Sequence, residues 1–130
     1  MRYMLLMNAT QADWQVFGSL PPKDRKAHVA FMKDLDRRLR AAGELVCDDG
    51  LSGPAQAQLV RARSGEPPLV TAGFPAGKEF LAGYWVIDCH EPRRIVEIAA
   101  LVSSAPGRGG APLNFPVEVR PIMGAPGEEM

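Results

Sequence analysis

The chain has 130 residues, and its 15 Lys+Arg are balanced by 15 Asp+Glu, so the formal net charge is zero. That balance excludes the broad positive field that non-specific nucleic-acid binding needs and gives no pull towards anionic lipid. With 46% apolar residues the chain can fill one core, and its length suits a single domain over residues 1–123 with a flexible tail at 124–130.

From the N-terminus, residues 2–8 read as a strand, with Tyr3, Leu5 and Met7 on one side and Met4 and Leu6 on the other. The opening MRYMLLM is apolar but too short for a signal-peptide core. No apolar run approaches the roughly 18 residues of a membrane span. The expectation is a soluble, cytoplasmic protein. Residues 9–20 read as a packed loop or a single helical turn carrying Trp14 and Phe17.

A helix is predicted over 21–42, opened by Pro21 and Pro22 and stopped by Gly43. Phe31, Leu35, Leu39 and Ala42 form its apolar stripe, and Asp34 with Arg38 and Asp36 with Arg40 are four-apart pairs on its outer faces. A short strand at 44–48 closes on the turn signal Asp49-Gly50. A third strand spans 55–63, residues 64–68 turn, and 69–71 return as a short partner. The strongest strand is 81–89, rich in aromatic and β-branched residues, with Trp85 and Ile87 on one side and Tyr84 and Val86 on the other. Pro92 starts a second helix to about Ser103 whose buried stripe is Ile95, Ile98, Ala99 and Val102. A flexible Gly/Pro loop at 105–112 leads to a last strand at 117–122. Cys47 and Cys89, far apart in sequence, read as reduced, buried thiols.

The order β-α-β, hairpin, β-α-β implies an α+β, ferredoxin-like sandwich with its helices on one face of the sheet. The other face should be polar, yet the first strand and 81–89 are apolar on both sides. Such a sheet needs a second cover. The expectation is a homodimer packed sheet to sheet about a twofold axis, a dimeric α/β-barrel-like arrangement.

The segments RYMLLM, AHVAFMKDL, AAGELV, GLSGPAQAQLVRA, KEFLAGYWVID and EVRPI, in this order from Tyr3 to Ile122, resemble the YCII-related family and within it the DGPF branch. The resemblance implies a dimeric ferredoxin-like α/β domain. It also implies either a small enzyme with a His–Asp pair in a helix–sheet cleft or, from the branch's association with sigma factors, a transcription-related partner. The Asp-Gly-Pro-Phe loop that names the branch is altered: the stretch reads Thr71-Ala72-Gly73-Phe74-Pro75, so the acidic side chain is replaced by Ala72. Glu79 of the family's Lys-Glu position is present.

Among candidate site residues His28 comes first, three before Phe31 and seven before Leu35, beside the sheet-facing stripe. A histidine there can serve as acid or base near neutral pH. The plainer alternative is a histidine that satisfies a backbone carbonyl or pairs with Asp24. Asp48 and Asp49 end the strand after the first helix, where clefts form in layered folds, and either could orient His28; Asp-Asp-Gly is also an ordinary turn. Phe74, Tyr84 and Trp85 could line a ligand pocket with Arg120 or Arg61 as anionic anchor, against the alternative of dimer core and solvated strand. Asp88-Cys89-His90-Glu91 lacks the paired spacing of a metal site, and Gly107-Arg108-Gly109-Gly110 does not follow a strand and open a helix as a phosphate loop does. No metal or cofactor is expected. Two functions remain open: a dimer that binds a small organic molecule and carries out acid–base chemistry with His28, Asp48 and Asp49, or a non-catalytic accessory module acting with a sigma factor. A concave pocket holding His28 and a carboxylate favours the first, a dry His28 the second.

Overall fold

Alternating apolar residues at the N-terminus build the centre of the sheet. In the computed structural model, which describes residues 1–73, 77–125 and 127, strand β1 (Arg2–Ala9) is followed by helices α1 (Gln11–Gly18) and α2 (Pro22–Ala41) and strand β2 (Leu45–Gly50). Strands β3 (Gln58–Arg63), β4 (Glu66–Ala72) and β5 (Phe80–Asp88), helix α3 (Pro92–Ser103) and strand β6 (Val117–Pro121) complete the chain, with 3-10 turns at Pro54–Gln56 and Arg108–Gly110. Four strands form an antiparallel sheet in the order β2-β5-β1-β6, while β3 and β4 form a separate two-stranded hairpin. No closed barrel occurs among the described residues.

The core lies between the sheet and α2 and α3. Tyr3 and Leu5 of β1 and Trp85 and Ile87 of β5 meet Leu35 and Leu39 of α2 and Ile95, Ile98, Ala99 and Val102 of α3. Both helices therefore cover one face. Leu5, Leu35 and Ile98 are essentially inaccessible, and each fully buried aliphatic side chain contributes roughly 1.5–3 kcal/mol. On the opposite face Met4, Leu6, Tyr84 and Val86 stay half-buried. The stripe of α3 is the one expected. That of α2 is shorter: Phe31 is half-buried and Ala42 is exposed beyond the helix end.

Several local expectations need correction. Residues 11–18 form two turns of helix rather than a packed loop or a single helical turn, because Thr10 caps them: the Asp13 backbone N–H donates to the Thr10 hydroxyl and the Thr10 N–H to the Asp13 carboxylate, both at 3.1 Å. This reciprocal capping box satisfies two of the donors a helix start leaves orphaned. β4 runs through Pro67 and Pro68 instead of starting at Leu69; on the edge of a two-stranded hairpin, proline removes no obligatory bond. The 105–112 segment is ordered by the Pro106–Pro112 bridge. Residues 126 and 128–130 of the expected tail lie outside the described residues.

β2 continues through Asp49-Gly50, and a bulge shifts its register. Leu45 pairs with Ile87 on the helix side, but Cys47 then pairs with Val86 and Asp48 with Trp85. The extra residue, Val46, reverses the alternation. Asp48 is thereby turned to the helix side and Cys47 to the open face. That is why Cys47 is exposed, contrary to expectation, while Cys89 is buried; both are free thiols. No helix among the described residues is long and apolar enough to cross a membrane.

Candidate functional site

A cavity of about 320 Å³ opens between α1, α2 and the β2 side of the sheet, within the usual size range of small-molecule sites. α1 supplies Trp14 and Phe17, and α2 supplies His28 and Met32. The sheet supplies Met7, Gly83, Trp85, Asp48 and Asp49, and Leu51 follows β2. The walls are chiefly apolar. The sequence-predicted residues His28, Asp48 and Trp85 are thus brought together, and Asp49 borders the cavity while pairing in register with Tyr84.

His28 is held on two sides. Its Nδ1 lies 3.1 Å from the Pro106 carbonyl oxygen, and its ring packs edge-on against Phe17 with centroids 4.8 Å apart. Donation from Nδ1–H to that carbonyl fixes the neutral tautomer and leaves Nε2 as the lone-pair nitrogen. The alternative partner Asp24 is engaged elsewhere, accepting from the Gly109 backbone N–H at 3.1 Å. Neither Asp48 nor Asp49 hydrogen-bonds His28, so the expected carboxylate orientation of the imidazole is replaced by a backbone carbonyl. Trp14 stands edge-on to Phe80 at 5.7 Å and presses on Gly53, where an added Cβ would come within 2.9 Å of Trp14 Nε1.

Asp48 is the electrostatically unusual group. Burial, first, and then a hydrogen bond with Asp36 and that residue's charge push its carboxyl up to about 7; Arg40 opposes the shift and Asp49 adds to it. Asp36 was expected on an outer face paired with Arg40. The expected pair of Asp34 with Arg38 forms at 3.1 Å and Asp34 also meets Arg37, whereas Asp36 interacts with Asp48 of β2. Asp49 behaves differently: its carboxylate accepts from the Tyr84 hydroxyl at 3.0 Å, which raises the Tyr84 phenol above its ordinary value.

The remaining candidates do not join the cavity. Tyr84 alternates with Trp85 and so lies on the open face of the sheet. Arg120 pairs in register with Met4 on that same face and approaches Glu118 at 3.9 Å. Arg61 sits on the exposed hairpin, and Phe74 lies outside the described residues. Among the described residues no three His, Cys, Asp or Glu side chains cluster as a metal site would require. The reading of the sequence missed Trp14, Phe17 and Met32 as cavity residues and Asp36 as a neighbour of Asp48. For Asp36 a signal existed: His28, Met32 and Asp36 are spaced four apart and share one helix face.

The geometry defines an α+β domain with one helix-covered sheet face and a small-molecule-sized cavity at the helix–sheet junction. A family model, the YCII-related domain, matches residues 1–106, and the chain belongs to that family. The matched span includes all the cavity residues and ends at Pro106, the residue that holds His28. No curated protein matches the sequence.

Proposed function

We propose that this protein binds a small organic molecule in the helix–sheet cavity and moves a proton there, with Asp48 and His28 as the groups that carry it. One observation supports this above the rest: the bulge in β2 turns Asp48 to the helix side, so that its carboxyl, pushed up to about 7 chiefly by burial, shares an apolar-walled cavity with His28. General acid–base catalysis works best with groups whose pKa lies near the working pH. Asp48 is suited to donate and His28 Nε2 to accept. A thermal-shift screen of small organic molecules tests the reading. Compounds should stabilise the wild type, and the effect should be lost in Asp48→Asn and His28→Gln. Equal stabilisation of all three proteins, or none by any compound, contradicts it.

The strand order β2-β5-β1-β6, antiparallel throughout, supports a ferredoxin-like reading, and the segments noted above support the DGPF branch. The half-buried apolar face of Met4, Leu6, Tyr84 and Val86 supports a homodimer packed sheet to sheet, in a cytoplasmic setting compatible with two free thiols. Light scattering at micromolar concentration should return twice the 14.1 kDa chain mass, and Leu6→Glu should halve it. A wild type with the mass of one chain contradicts the dimer. The accessory reading, with a sigma factor as partner, draws on the β3–β4 hairpin, which exposes Leu59, Val60, Leu69 and Val70.

A further inference from the structure

We propose that α1 is a flap on the cavity, which detaches to admit a ligand and closes again on it, with Trp14 as its latch. The inference rests on the reading of the cavity as the working site and adds how that site is reached.

The first argument is how little binds α1 to the rest of the molecule. Asp13, Trp14 and Phe17 are its half-buried residues, and all three line the cavity. The helix buries no residue completely and adds none to the core that α2, α3 and the sheet share. Its inner face is therefore cavity wall. Its hydrogen bonds are largely its own. The capping box joins Thr10 to Asp13, and the Ser19 N–H donates to the Gln15 carbonyl at 3.0 Å. Among the described residues the one hydrogen bond from α1 to another element lies at its C-terminal end, where Arg25 Nη2 donates to the Gly18 carbonyl at 2.6 Å. The flanking residues, by contrast, are fixed: Ala9 and Leu20 are each 4% exposed. A helix without a core residue, strung between two buried ends, lifts without opening the core.

The second argument is the latch. Trp14 stands edge-on to Phe80 and rests on Gly53, and Phe17 stands edge-on to His28. These ring contacts hold α1 down. Elements with few buried apolar contacts open locally, well below the cost of global unfolding. A helix of eight residues without tertiary support is not stable in water, so lifting and unwinding are one event. With α1 down, Phe17 shields the His28 ring. Lifting exposes the imidazole to a ligand, and closure brings both aromatic rings back and excludes water.

Hydrogen exchange of the full chain without ligand, joined to stopped-flow binding of N-phenyl-1-naphthylamine, tests this. Amides of α1 should exchange at least about tenfold faster than those of α2 and α3, at rates that urea below the unfolding transition leaves unchanged. Two variants loosen the flap from different sides. Gly53→Ala, at a backbone angle alanine adopts readily (φ −64°), pushes on Trp14. Thr10→Ala removes the cap and lies outside the cavity lining. Each should speed α1 exchange about fivefold and raise the association rate constant of the probe by a similar factor. In Thr10→Ala dissociation should accelerate equally and leave affinity unchanged; in Gly53→Ala it should accelerate more. A wall that does not gate would alter dissociation alone. α1 amides as protected as those of α2, or an unchanged association rate in either variant, overturns this inference and leaves the cavity reading standing. A probe that leaves the His28 and Met32 resonances unmoved overturns both.

Discussion

His28 Nδ1 and the carbonyl oxygen of Pro106, 78 residues apart in sequence, meet at 3.1 Å. The bond ties α2 to the segment after α3 and sets which imidazole nitrogen faces the cavity. His28 therefore both lines the cavity and makes a modest structural contact. His28→Ala should cost about 1–2 kcal/mol, the sum of one hydrogen bond and an edge-to-face ring contact, with the fold retained. Urea unfolding measures it; global unfolding would make the histidine primarily structural.

Arg94 clamps Glu44 with two bonds, Nε to Oε2 at 2.7 Å and Nη2 to Oε1 at 2.8 Å. The Arg94 hydrogen bonds hold the Glu44 carboxyl below its ordinary value. A carboxylate whose folded pKa is depressed adds stability above its unfolded pKa, and that stability fades as pH falls through the folded value. Arg94→Lys keeps the charge and loses the fork. It should destabilise by about 1 kcal/mol at pH 7, and the difference from wild type should shrink below about pH 4. Denaturant midpoints at the two pH values decide it.

Gly53 is where Trp14 rests. An alanine methyl would meet the indole at 2.9–3.1 Å, so Trp14 must shift into the cavity or away from Phe80. Gly53→Ala should cost about 1 kcal/mol through overpacking and weaken any cavity ligand more than it lowers the melting temperature. Unchanged ligand affinity would place the working site elsewhere.

What could be read from the sequence divides along physical lines. The stripe Ile95, Ile98, Ala99 and Val102 was legible because one periodicity decides burial in an amphipathic helix. The alternation of Trp85 and Ile87 against Tyr84 and Val86 was legible for the same reason in a strand. α1 was not, since its two aromatics do not make a stripe and its decisive signal is the Thr10–Asp13 cap. The cavity was half legible. His28 and Asp48 could be picked out, but the bulge at Val46 that turns Asp48 inward leaves no mark in composition. Asp36 looked like one member of a solvated charge pair, because its real neighbour lies on another element. Tyr84 and Arg120 were misplaced for want of knowing which strand face meets the helices.

The most direct test of the whole account is the titration of the Asp48 side chain, followed by carboxyl carbon resonance in the wild type. Because its folded pKa is raised, Asp48 binds its proton more tightly when folded, and stability from this group declines as pH rises from the ordinary carboxylate range towards about 7. Asp48→Asn should accordingly gain roughly 1 kcal/mol on the wild type at pH 8. The account expects a midpoint near 7 that falls in Asp36→Asn. A midpoint near 4, insensitive to Asp36, would contradict it.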